Sequence, residues 1–138
     1  MLNVKTPLNL IESMMLLRRF VPYSQMQCIE EGLTGEEAGY FQDKIFEYAE
    51  RISNMPSTYE TDGQGNDAIA HLHYFTANCD WYITEKDSEP DKAGQIQAFG
   101  LAKIFEPELG YISILELIRN GAELDLHFTP LPIRQFLK

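Results

Sequence analysis

The stretch Ala68-Ile69-Ala70-His71-Leu72-His73-Tyr74-Phe75, followed after Thr76-Ala77-Asn78-Cys79-Asp80 by Trp81-Tyr82-Ile83-Thr84, decides the fold. β-branched and aromatic residues crowd both runs, and the five residues between them are small or turn-forming, which is the pattern of a hairpin. It holds the only tryptophan and two of the three histidines. The rest of the chain reads as helices before this hairpin and further strands after it.

Upstream, Pro7 to Val21 has helical spacing. Leu8, Ile11, Met15 and Arg18 run along one edge, with Leu10, Met14 and Leu17 beside them, and Pro22 marks the stop. A second short helix spans about Ser24 to Glu31, with Ser24 as its cap and Gly32 as punctuation. Thr34-Gly35-Glu36-Glu37 has the form of a capping box. It opens a helix through Ala38, Phe41, Ile45, Tyr48, Ala49 and Ile52 that ends before Pro56.

Residues 57–67 read as a turn-rich connector. Thr61-Asp62-Gly63-Gln64-Gly65-Asn66-Asp67 lacks the ligand spacing of a helix-loop-helix calcium site, because position 12 of such a loop would be His73. It lacks the Lys-Ser/Thr of a phosphate cradle as well. Beyond the hairpin, 85–94 is a charged loop, and Gln95 to Ala102 alternates as a third strand. Pro107 breaks the chain, Tyr111-Ile112 is a brief strand, and Ser113 caps a helix from Ile114 to Arg119. Ala122 to Thr129 alternates as a last strand with Leu124, Leu126 and Phe128 on one face, and Pro130 and Pro132 leave a loose tail. The expectation is one α+β domain over 1–138, with N-terminal helices packed on a mainly antiparallel sheet of three to five strands.

Composition narrows the function classes. The net charge is −10, and all of the acidic excess lies after residue 33. Such a chain is unsuited to gripping nucleic-acid phosphates, and suited to dispersion in water or to filling a basic cleft on another protein. No apolar run is long enough for a membrane span. Glu12 and the late Arg18-Arg19 pair do not fit a signal peptide, and two cysteines do not make a disulfide framework, so the expected compartment is the cytoplasm.

Candidate chemistry is sparse. His71 and His73 stand two apart on the predicted strand and share a face, so with His127 from an adjacent strand they form a candidate zinc set; half-exposed structural histidines beside carboxylates are the competing reading. Cys28 and Cys79 show no sign of thiolate activation, and no nucleophile elbow is present. No catalytic residue and no cofactor is assigned. The candidate partner-binding residues are Asp80, Trp81, Tyr82, Glu85 and Asp87.

From residue 33 to about 130 the sequence resembles a family of small acidic bacterial proteins, a domain of unknown function typical of plasmids, integrative elements and prophage-like islands. The residues that carry the likeness are Leu33-Thr34-Gly35-Glu36-Glu37, Met55-Pro56, Thr58-Tyr59-Glu60-Thr61-Asp62-Gly63 and His71-Leu72-His73-Tyr74-Phe75. They continue with Asp80-Trp81-Tyr82-Ile83-Thr84-Glu85-Lys86-Asp87, Gln97-Ala98-Phe99-Gly100, Glu108-Leu109-Gly110-Tyr111-Ile112-Ser113-Ile114 and Glu123-Leu124-Asp125-Leu126-His127-Phe128. Leu101 to Pro107 is more apolar than the Gly-rich stretch the family leads one to expect, and residues 1–32 form a helical extension outside it. The resemblance implies genomic company rather than an activity. The functional expectation is a non-enzymatic protein-binding accessory of a mobile element, as an anti-defence protein or DNA mimic whose partner is a host defence or DNA-processing factor. The alternatives are a metal-dependent enzyme using the histidines, or an oligomerisation module built on the Trp81/Tyr82 aromatics.

Overall fold

A computed structural model describes residues 7–87 and 97–137. The fold is α+β, with N-terminal helices preceding the sheet, as the sequence leads one to expect. Three helices come first: α1 (Leu10–Leu17), α2 (Tyr23–Gly32) and α3 (Ala38–Asn54). Strands β1 (Ile69–Ala70), β2 (Leu72–Phe75), β3 (Asp80–Lys86), β4 (Gln97–Lys103) and β5 (Pro107–Ser113) follow. Helix α4 (Ile114–Arg119), β6 (Glu123–Leu124), β7 (Leu131–Pro132) and a 3-10 turn at Ile133–Phe136 complete the chain. The main sheet is antiparallel in the order β5-β4-β3-β2-β6, and β1 pairs with β7 in a separate two-stranded sheet.

Each face of the main sheet has its own core. Leu72, Tyr74, Ile83, Ala98 and Ile112 point to the helices and meet Leu17, Met26, Ile29, Ile45, Tyr48 and Ile52. Tyr82 and Leu101 point the other way, where Ala68, Ala70, Phe128 and Ile133 cover them. Alternation along a strand sends neighbours to opposite faces, so Trp81 joins the helix side while Tyr82 joins the second core.

Helix α3 follows its apolar spacing, but α1 turns the expected Ile11, Met15 and Arg18 edge outward, and the helix ends differ from expectation. Leu17 and Ser13 are buried in α1 with Leu10 and Met14 beside them, while Ile11 and Met15 face outward. The capping box forms at Asn9 and Glu12 rather than at Thr34 and Glu37. Thr34 lies in the tightened last turn of α2, where its amide and its hydroxyl both donate to the Glu31 carbonyl. An unsatisfied helix-end carbonyl has captured the side chain that would have capped α3. Gly32 is the last residue of α2, and a side chain there would overlap the Phe41 ring. Ser113 does cap α4, accepting from the Glu116 amide at 3.2 Å.

Three strand expectations are corrected. The run 68–75 breaks at His71, with β1 and β2 serving different sheets. Pro107 begins the seven-residue β5 instead of breaking the chain, which suits an edge position. The 122–129 strand stops after Leu124, because the Asp125 carboxylate accepts from the His127 amide at 2.9 Å and turns the backbone. Tyr48 holds that turn, donating to the Asp125 carbonyl at 2.8 Å and accepting from the Phe128 amide at 3.2 Å. The tail is docked rather than loose: Ile133 is buried and Phe136 stacks on Tyr82 with ring centroids 4.2 Å apart. The expected start of the third strand at Gln95 and most of the 85–94 loop fall outside the described residues.

Gly100 sits opposite Ile83 where the backbones come closest, and a Cβ there would overlap the Tyr82 carbonyl oxygen. Gly100→Ala is expected to lower stability by about 3 kcal/mol, read as a reduced urea midpoint; an unchanged midpoint would contradict this packing.

Candidate functional site

The site begins with one irregularity in β3. Ile83 pairs with Gly100, but Glu85 pairs with Phe99, so Thr84 is an extra residue in the ladder. Without it, alternation would send Glu85 to the helix face with Trp81 and Ile83. The bulge turns Glu85 to the second face instead. There Glu85 is 3% exposed.

A buried carboxylate needs donors, and the 57–61 loop supplies them. Oε1 accepts from the Tyr59 amide at 2.7 Å. Oε2 accepts from the Thr61 amide at 3.2 Å and from the Thr61 hydroxyl. The loop is fastened again beside this point. The Lys86 amide donates to the Pro56 carbonyl at 3.0 Å, and the Thr58 hydroxyl donates to the Asp87 carboxylate. To direct its amide at Glu85, Tyr59 adopts φ +72°, the only non-glycine residue with positive φ among those described. That left-handed conformation costs of order 1 kcal/mol and persists only when its surroundings over-determine it.

The ring of Tyr59 is thereby carried over to β5. Its hydroxyl lies 3.0 Å from that of Tyr111, and both side chains are mostly exposed, at 64% and 60%. Tyr111 also meets Phe99 edge to face at 5.6 Å. Behind the two phenols lies a cleft of about 210 Å³. Its floor is apolar, with Ala68, Phe99, Leu109 and Ile133, and Asp62 and Glu85 contribute its charges. In the sequence Tyr59, Thr61 and Asp62 belong to a turn-rich connector with no functional role assigned. The Tyr59 φ angle and the bulge that explains it have no signature in composition or periodicity.

The sequence-predicted residues are placed as follows. His71 is half-buried, and burial first, then the Arg51 charge, hold its imidazole below the ordinary value. His73 has both ring nitrogens engaged: Nδ1 with Asp125 at 3.0 Å and Nε2 with Asp80 at 2.7 Å. A carboxylate only accepts, so both contacts are donated at once only by the imidazolium. His73 is also stacked on Tyr82 at 4.7 Å. His127 is exposed on the 126–127 turn. Among the described residues no group of three His, Cys, Asp or Glu side chains is placed to hold a metal ion. The histidine triplet therefore does not assemble, because the strand breaks at His71 and carboxylates occupy His73.

Nor do Asp80, Trp81, Tyr82, Glu85 and Asp87 form one outward face. Trp81 is half-buried on the helix side, Tyr82 is only 9% exposed on the other, and Glu85 is internal. Asp80 and Asp87 are held by His73 and Thr58. Cys28 is exposed and Cys79 half-buried, and both are unpaired thiols.

Two outcomes are expected. Glu85→Ala strips the Tyr59 and Thr61 donors of their acceptor and costs about 3 kcal/mol, and hydrogen exchange at those two amides accelerates; protection equal to the wild type would contradict the clasp. Asp125 gives a pH dependence. Burial opposes its ionisation, but hydrogen bonds from His73 and the His127 amide and the charges of both imidazoles outweigh that and hold it below 3.8. Its contribution is therefore present above the ordinary carboxylate value and lost as pH falls through the depressed one. Urea midpoints measured downward from about pH 6 should fall less steeply for Asp125→Asn than for the wild type; parallel curves would contradict the pairing. Comparison with protein-family models, with curated proteins and with solved structures finds no match to this chain.

Proposed function

We propose that the protein is a non-enzymatic binding protein that docks onto a basic protein partner through the tip of its β4–β5 hairpin and the adjoining β5 edge. The observation that carries this reading is Phe105, 98% exposed in the turn between the two strands. Ile104 before it and Leu109 and Tyr111 on β5 are large apolar residues that are also exposed. Glu106 and Glu108 are interleaved with them, and both are exposed. A run of exposed large apolar residues with acids at its rim has the anatomy of an interaction surface, and aromatic side chains are its usual anchors. β5 is also the outer strand of the sheet, with seven residues of backbone along one edge.

The non-enzymatic part of the proposal is supported by how fully the reactive-looking groups are spent. Glu85 takes three donors from the 57–61 loop, and His73 is held between two carboxylates. The acidic character supports a basic partner and a fast, salt-sensitive encounter. Exposed acids occur on every helix, in the 60–67 loop, at the hairpin turn and on β6. A local acid–aromatic patch accordingly fits the distribution better than a continuous phosphate-like track. The partner class that goes with the family resemblance is a host defence or DNA-processing factor met in the cytoplasm by a mobile element.

Affinity capture with wild-type protein and Phe105→Asp, at low and raised salt, tests the proposal. The expected result is a stoichiometric basic partner that the wild type retains at low salt and loses at high salt. Phe105→Asp should weaken the complex by at least about tenfold with thermal stability unchanged. A partner bound equally by both proteins would overturn it, as would the absence of any salt-sensitive partner.

A further inference from the structure

We propose that the Tyr59–Tyr111 cleft receives a single arginine side chain from the partner protein, and this rests on the docking reading above. Its size sets the class of occupant. At about 210 Å³ the cleft is below the range typical of sites for drug-sized ligands and is suited to one long side chain.

Its chemistry sets the charge. Asp62 and Glu85 line the cleft, and no Lys, Arg or His stands among the described residues that line it. The Tyr111 hydroxyl pKa lies above the ordinary value, first through its hydrogen bond with Tyr59 and last through the nearby Glu85 and Asp62 charges. Glu85 is spent on the 57–61 loop, so the exposed Asp62 is the carboxylate of the lining that meets an incoming cation.

The walls distinguish guanidinium from ammonium. Tyr59 and Tyr111 place two phenol rings at the mouth, and Phe99 lies behind Tyr111. A planar, weakly hydrated guanidinium stacks on such faces while its forked donors reach a carboxylate, whereas an ammonium keeps its water. The apolar floor of Leu109, Ile133 and Ala68 suits the methylene stem that an arginine brings with it. Leu109 and Tyr111 are on β5, and Phe105 is in the turn that leads into it, so an arginine held here places its own chain along the proposed docking edge.

An NMR titration of the full chain with acetyl-Gly-Arg-Gly amide tests this, with the citrulline analogue and free L-arginine as parallel arms. Shifts centred on Tyr59, Thr61 and Tyr111 are expected, with binding weakened about fivefold or more by citrulline and by Asp62→Asn. No shift at these residues at about 10 mM peptide would overturn the proposal, and so would equal binding of the citrulline analogue. Free L-arginine binding as tightly as the peptide would overturn the assignment to a protein chain. Because the titration needs no partner, a silent cleft beside a Phe105-dependent complex rejects the arginine site alone. A responsive cleft without such a complex supports the guanidinium site and rejects the docking reading.

Discussion

One extra residue in one strand governs the shape of the Tyr59–Tyr111 cleft. Thr84 breaks the two-residue alternation of β3, and a carboxylate that would have pointed into the helix-side core is turned to the opposite face. Once there it is internal, and an internal carboxylate is tolerable only with donors around it. The 57–61 loop is drawn in to supply them, Tyr59 is forced into left-handed geometry, and its ring ends beside Tyr111. The cleft is thus a consequence of satisfying Glu85, and its shape is as stable as that network.

A second polar arrangement does comparable structural work on the same face. His73 spans from Asp80 at the start of β3 to Asp125 after β6, and its ring lies in a column with Tyr82 and Phe136. This column fastens the C-terminal segment over the sheet, alongside β1 and β7. Tyr48 and Arg51 reach from α3 to the same segment, through the Asp125 carbonyl, the Phe128 amide and the Phe128 carbonyl. Burial raises the Tyr48 pKa, opposed by the neighbouring Arg51 charge, so its hydroxyl stays protonated and can donate. His73, one of the candidate zinc ligands, is therefore engaged in closing the fold.

What remains on the outside is of a different character. The hairpin tip and the β5 edge combine exposed apolar side chains with acids and have no covering element among the described residues. In a chain of net charge −10, that combination separates two jobs. Dispersed acids favour dispersion in water and attract basic surfaces from a distance, while exposed aromatic side chains are the usual short-range anchors of an interface.

The sequence by itself determined the class of fold, because the spacing of Ile45, Tyr48, Ala49 and Ile52 and the β-rich runs around 72–75 and 80–84 record which side of each element meets the core. It also determined the turn-rich 57–67 connector and the Ser113 cap, both products of near-neighbour chemistry. Tertiary structure alone decided where strands end and which residues meet. Local pattern did not disclose that α2 would capture Thr34, that Asp125 would cut the last strand short, or that β1 would leave the hairpin for a partner near the C-terminus. The candidate site was the least legible part. Its parts lie at 59–62, 84–85, 99, 109–111 and 133, and a bulge in β3 turns Glu85 toward the rest, where hydrogen bonds to a segment far away in the chain hold it.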